Sequence, residues 1–225
     1  MPLRVQFHEH LVDLDEKVRL LFAYIPEDIA AATQALLGVE RDLLPLLTER
    51  ERTINDLFKE LDALVDEVLA LQAPVASDLR FLLSVLRVGP ELERSHDLVM
   101  HIAEHATPIV IDGLSPKARD LLERMSNIAV EMWHEAARSW EEPHTRVSEE
   151  LDERDDALDT LHITFMDELS AGNMTLPVSL NMALVARFYE RLGDHAVNTS
   201  RRAAGIPARL EALGDPPEGG NRSKA

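Results

Sequence analysis

The chain has no cysteine. That removes disulfides and thiolate metal sites. Aromatic residues make up only 4%, and Ala, Leu, Glu, Asp and Arg dominate, which favours helices over sheets. No run of 18 apolar residues occurs, so nothing reads as a membrane span. His8, Glu9, Asp13 and Asp15 interrupt the first residues, which do not read as a signal peptide. No Gly-rich Walker loop is present. Basic residues are in the minority. There are 23 Lys and Arg against 41 Asp and Glu, a net charge of −18. Phosphates would be repelled, which argues against a nucleic-acid partner. The charge suits metal cations or a protein partner with a basic surface. A cytoplasmic location is expected, with the membrane reached only through other proteins.

At 225 residues, 45% of them hydrophobic, the chain is long enough for one large core or two small ones. Apolar positions recur at helical spacing in six segments. The first covers about 4–38, with Leu11, Leu14, Val18, Leu21 and Phe22 on one stripe. Pro26 predicts a kink or a break near Ile25, and Gly38 punctuates the end. The second covers 42–71, with Pro45 tolerable only in its first turn. The third covers 77–106, with Gly89-Pro90 predicting another kink. Pro108 and Asp112-Gly113 mark a linker. The second half repeats the plan. Ser115-Pro116 is an N-cap followed by proline at the first helical position, and a helix runs from there to about Trp140. Further helices cover 145–171 and 176–204, separated by Gly172-Asn173, residues that tolerate a left-handed cap. Short connections make successive helices antiparallel neighbours.

The fold expected is all-α, two tandem, pseudo-symmetric three-helix bundles of six long helices, spanning 1–112 and 113–206. A Gly- and Pro-rich tail over 207–225 reads as disordered. One elongated bundle of mixed helices is the alternative.

Carboxylate spacing supplies the candidate site. Glu190 and Asp194 are four residues apart, so a helix stacks them on one face, where they repel. A cation reverses the sign of that interaction. Ala183, Ala186 and Gly193 lie near the same stripe and permit close approach. Glu93 and Asp97 echo the spacing 97 residues earlier, which points to a duplication. Antiparallel helices juxtapose positions equidistant from their connection. Reflection through Pro74 places Glu51 and Asn55 opposite Glu93 and Asp97. Reflection near Met174 places Asp155 and Asp159 opposite Glu190 and Asp194. Oxygen-only clusters suit hard or borderline cations such as Mg²⁺, Mn²⁺, Ca²⁺ and iron. The bland reading is a solvated, ion-paired face, since Arg187 and Arg191 stand beside the acids.

The same residues carry a family resemblance. Tyr189-Glu-Arg-Leu-Gly-Asp-His-Ala-Val-Asn198 resembles the signature of the PhoU family of phosphate-transport regulators. Leu71-Gln-Ala-Pro-Val-Ala-Ser-Asp-Leu-Arg80 resembles that family's turn between helices two and three. Leu92-Glu-Arg-Ser-His-Asp97 resembles its first-repeat signature. The likeness covers about residues 5–204. It implies two three-helix bundles, no catalysis, and multinuclear metal clusters in some members. Negative regulation is implied too, through contact with the phosphate importer's ATPase subunit and the sensor histidine kinase. By position, Glu190, Asp194, Asp155 and Asp159 match the second-repeat motifs, and Glu93 and Asp97 the first. Glu51 and Asn55 match less well, because an amide replaces a carboxylate. Gly89-Pro90 and Ser95-His96 depart from the pattern, and His96 would add a nitrogen ligand or fill space.

Three readings compete. One is the phosphate regulator, forming a homodimer and using Mg, Mn or Fe on its carboxylates. Another is a ferritin-like di-metal oxidase built on Glu93-Arg-Ser-His96 and Glu131-Met-Trp-His134, although separate three-helix units would not supply its four-helix cage. The last is an interaction scaffold without metal. His101 and His105 share a helix face and offer a further transition-metal pair.

Overall fold

The computed structural model describes residues 2–40, 43–71, 74, 76–142 and 145–203. Among these there are seven helices and no strand: α1 (Pro2–Leu36), α2 (Leu43–Leu71), α3 (Ala76–Glu104), α4 (Pro108–Gly113), α5 (Pro116–Glu141), α6 (Thr145–Ser170) and α7 (Leu176–Ala203). The six long ones fall within about two residues of the segments read from periodicity. The seventh, α4, lies where only a linker was expected. Its N-cap is Thr107, whose hydroxyl accepts from the Val110 amide at 3.4 Å, and Pro108 follows the cap. The tail read as disordered begins at 207 and lies outside the described residues.

Neither internal proline breaks its helix. Pro26 lies inside α1 and Pro90 inside α3. Each removes one backbone hydrogen bond to the carbonyl four residues back. Burial holds the flanks in place: Phe22, Ile25 and Ile29 around Pro26, and Val88 and Leu92 around Pro90, are core residues. Packing outweighs local propensity here. The second-half punctuation is as expected. Ser115 Oγ accepts from the Ala118 amide at 3.0 Å with Pro116 at the first helical position. Gly172 takes the left-handed conformation at φ +77°, open to glycine without steric cost.

α1, α2 and α3 form one triplet, and α5, α6 and α7 the other. The triplets pack on each other through α1 against α5 and α3 against α7. α1, α3, α5 and α7 are thus four inner helices around one continuous hydrophobic core. α2 covers α1 and α3 from outside, and α6 covers α5 and α7. The four inner helices that separate three-helix units would lack are supplied by the pair of triplets together.

The duplication is legible in the packing. Leu47 and Leu151, Ile54 and Leu158, Leu61 and Phe165, and Val65 and Leu169 are all buried pairs 104 residues apart. Ion pairs repeat at the same interval: Arg50 lies 3.3 Å from Glu27, and Arg154 lies 3.4 Å from Glu131. From α3 to α7 the interval is 97, because the α6–α7 hairpin is shorter than the α2–α3 hairpin. Arg119 ties the halves at one end of the bundle. Its guanidinium donates to the carbonyls of Leu37, at 2.7 Å, and of Ile111, satisfying acceptors left open where α1 and α4 end.

Candidate functional site

The reflection through Met174 is realised. Gly193 and Asp155 each stand nineteen residues from Met174 and face each other. A Cβ at Gly193 would lie 2.9 Å from Asp155 Oδ1 and 2.8 Å from Leu158 Cδ2. The bare glycine is what lets α6 lay a carboxylate against the backbone of α7. Asp155 is pushed up to about 6, first by burial and then by Asp159, Asp194, Asp152 and Asp156. Three of the four expected second-half residues therefore act on one another. The fourth does not join them, because Glu190 is bound by Arg187 one turn earlier.

The first half is less assembled. Burial raises the Glu93 carboxyl first, and Asp97 adds to it. The other charges acting on it, Arg94 and His96, are also on α3. Glu51 and Asn55 stand half-buried on α2. His96 occupies the position equivalent to Gly193. It puts a side chain where the second repeat has none and bonds Asp28 on α1, Nε2 to Oδ2 at 3.2 Å, with both side chains buried. Arg50 adds a positive charge 3.9 Å from Asp28 Oδ1 and lies 4.0 Å over the Tyr24 ring. Sequence reasoning offered His96 as a ligand or a space-filler and missed its partner. The signal was present: Asp28 stands three residues after Ile25 and four before Ala32, on the buried stripe of α1.

Among the described residues no three His, Cys, Asp or Glu side chains converge as a metal-ligand set. The second-half donors fit a hard cation in kind, being carboxylate oxygens over a glycine gap, but as placed they do not close around one ion. The oxidase constellation is not brought together. Glu131 and His134 are exposed on α5 while His96 is buried against Asp28. Nor do His101 and His105 converge on a shared acid. Both rings pack on Phe188, at centroid distances of 5.4 and 6.0 Å, and His105 Nδ1 bonds Asn181 Oδ1 at 2.7 Å.

Several buried polar side chains of the inner helices bond across helices and fix register. Tyr189 OH meets Thr33 Oγ1 at 2.6 Å, and Thr33 meets Ser126 at 2.8 Å, joining α7, α1 and α5. Burial pushes the Tyr189 hydroxyl up to about 12. Ser139 and Ser200 meet at 2.6 Å. Ser95 donates to the Glu91 carbonyl, so its oxygen accepts from His195 Nδ1–H at 3.0 Å. That polarity is the reverse of a serine activated by a base.

A prediction follows from Asp155. Its carboxyl titrates higher in the fold than in the unfolded chain, so between about pH 4 and 6 the folded state holds more protons. Stability contributed by the protonated form is lost as pH rises through that window. Asp155→Asn removes the dependence. We expect it to stabilise the chain at neutral pH by on the order of 1 kcal/mol, after discounting for solvent screening of a half-exposed group. It should flatten the pH profile of urea unfolding over the same range. An unchanged profile contradicts the carboxylate cluster.

The site is thus a set of carboxylates, Asp155 and Asp159 on α6 and Asp194 on α7, within a duplicated helical bundle. Comparison names the family. The profile of the PhoU domain matches residues 18–106 and 122–203, one copy on each triplet, and the chain belongs to the PhoU family. It is 30% identical over 213 residues to a Mycobacterium tuberculosis protein named phosphate-specific transport system accessory protein PhoU homolog 2, covering 89% of this chain and 95% of that one. A Mycobacterium leprae protein named PhoU homolog 1 is 29% identical over 230 residues, covering 96% of each. In fold, the chain matches the crystal structure of PhoU from Pseudomonas aeruginosa with a TM-score of 0.80 at 24% identity, covering 89% of this chain and 98% of that one. It matches the phosphate transport system regulatory protein PhoU from Streptococcus pneumoniae with a TM-score of 0.78 at 19% identity, covering 90% and 97%. No helix among the described residues is long and apolar enough to cross a membrane.

Proposed function

We propose that this protein is a non-catalytic, cytoplasmic regulator of phosphate uptake and of phosphate-responsive signalling. It restrains the importer by docking on the ATPase subunit, and restrains the response by docking on the sensor histidine kinase. The observation that carries this reading is the pair of PhoU domains, one on each triplet, together with relatives named as accessory proteins of phosphate-specific transport. The hydrogen-bond polarity of the Ser95–His195 pair supports a non-catalytic role. In the same reading, Asp155, Asp159 and Asp194 are the first residues to meet a Mg, Mn or Fe cation. Glu190 joins on leaving Arg187. The first-half set of Glu93, Asp97, Glu51 and Asn55 contributes less, because His96 stands where the second repeat has Gly193 and Asn55 is an amide.

The test is binding of the purified chain to the importer ATPase and to the kinase's cytoplasmic region, with Mn²⁺ or Mg²⁺ added and then chelated. We expect binding to at least one partner. We also expect Glu190→Gln with Asp194→Asn to abolish any part of that binding that depends on the cation. Absence of binding to both, together with unaltered phosphate uptake and signalling in a deletion strain at high phosphate, overturns the reading.

A further inference from the structure

We propose that the seam between α3 and α7 is a docking face for an acidic amphipathic helix of a partner protein. At about 100° per residue, Leu79, Arg80, Leu83, Arg87 and Arg94 fall within one arc of α3, and all five are exposed. The Ser95–His195 bond, 3.0 Å long, fixes the height of α7 beside them. Arg191 and Arg202 widen the row from α7. Arg202 reaches across to the Arg87 carbonyl at 2.9 Å. His195 is held below its ordinary value first by burial, and the charges of Arg191 and Arg94 add to that from the two helices. These arginines differ from the other exposed bases in their pairing. Arg52 holds Glu49, Lys59 holds Asp56 and Arg124 holds Asp120. Among the described residues, Arg80, Arg87 and Arg191 have no acid within ion-pair distance. Arg94 and Arg202 share the one carboxylate of Glu91, at 3.9 and 2.7 Å. In a chain with 41 acids against 23 bases, the row is a local reversal of sign that an anionic partner can read.

The spacing selects the occupant. Arg80, Arg87 and Arg94 recur every seven residues, about 10 Å apart along the helix. A helix laid along the seam with acids at the same interval meets each of them in turn, in the register that paired helices use. Guanidinium groups take carboxylates through two parallel bonds. Leu79 and Leu83, each 38% exposed, lie beside the first two arginines and seat the apolar positions of that helix. A phosphate chain would meet the arginines and leave both leucines bare. An anionic bilayer would press on a wide surface and meet Glu93 and Asp97 as well, whereas a helix touches only the row.

The test is fluorescence anisotropy of a labelled synthetic peptide titrated with the full chain in EDTA. The peptide is a helix of about 21 residues, roughly 30 Å long, with Glu every seventh residue and Leu beside it. The wild type is expected to bind it with a micromolar dissociation constant that rises with salt. Arg80→Glu with Arg87→Glu and Arg191→Glu should raise that constant at least tenfold. Helix content and melting temperature should stay unchanged, because these three give up no ion pair. The same charge change elsewhere, Arg52→Glu with Lys59→Glu and Arg124→Glu, should leave binding within about twofold, which separates the row from net charge. A peptide with Lys in place of Glu should bind the Arg80, Arg87, Arg191 variant and not the wild type. Leu79→Ser with Leu83→Ser should weaken binding of the acidic peptide. A wild type that does not bind it overturns the proposal, as does a seam variant no weaker than the control or indifference to the leucine pair. Tighter binding to inorganic polyphosphate or to phosphatidylserine vesicles than to the peptide also overturns it, and gives the row to a phosphate chain or a bilayer. The assay uses neither the importer nor the kinase, so its failure strikes this face alone and leaves the regulator reading to the partner-binding assay.

Discussion

Trp140→Ala should destabilise the entire chain by about 3–5 kcal/mol, the usual cost of emptying a buried tryptophan site. For a protein of this size that corresponds to a fall in Tm on the order of 10 °C. Trp140 stands on α5 but is held by the other triplet. Its ring lies 6.1 Å from Phe22 on α1 and 6.1 Å from Phe81 on α3. Its indole N–H donates to Asp15 Oδ1 at 2.9 Å, and Asp15 is also paired to Arg19 at 2.7 Å. Truncation leaves a cavity and removes a donor from a buried carboxylate, and both effects fall on the seam between the repeats. The loss should therefore appear as a single cooperative transition by circular dichroism and by tryptophan fluorescence. Trp140→Phe fills most of the space and loses only the indole donor, so it should cost about 1–3 kcal/mol. A melt that splits in two, with one half unmoved, would show that the triplets unfold independently and that the shared core contributes little.

That seam was the part of the fold least legible in the sequence. Helical periodicity finds the buried stripe of each segment, which is why six helices could be placed to within about two residues. It does not say what a stripe is buried against. α1 meets α2, α3 and α5 with core side chains that read mostly as Leu, Ile, Val and Phe. The polar residues that fix the register carry no signature of their own. Thr33, Ser126 and Tyr189 become a set only once three helices are brought together. α4 is too short for periodicity to register.

The candidate site was half legible. Equidistance from Met174 placed Asp155 against α7 correctly, because the hairpin is regular and Gly193 leaves it room. It overestimated Glu190, because an arginine three residues before an acid on one helix captures it locally. The oxidase pairing looked plausible as spacing and fails as placement, since Glu131 and His134 face solvent.

Asp28→Ala should cost a further about 3–5 kcal/mol, because it breaks a buried pair and leaves the remaining polar partner uncompensated. His96 and Asp28 are 1% and 2% exposed, so solvent cannot replace the lost contact. Arg50 retains Glu27 and the Tyr24 ring, and its loss is the smaller part. The second repeat shows what the site looks like without the pair. Met132, 104 residues after Asp28, is buried, and its Cε lies 3.3 Å from where a Cβ at Gly193 would stand. The first repeat thus holds aspartate and histidine where the second holds methionine and glycine, each beneath an arginine–glutamate pair. Replacing a buried ionic pair by well-packed apolar groups is often neutral. Asp28→Met combined with His96→Gly should therefore return stability to within about 1 kcal/mol of wild type, measured by urea unfolding beside the single variant. Recovery would mean that the repeats share a side-chain plan, and that the first repeat holds, in place of glycine, a histidine that requires an acid beneath it. If the double variant fell as far as the single one, the equivalence of the repeats would stop at the backbone.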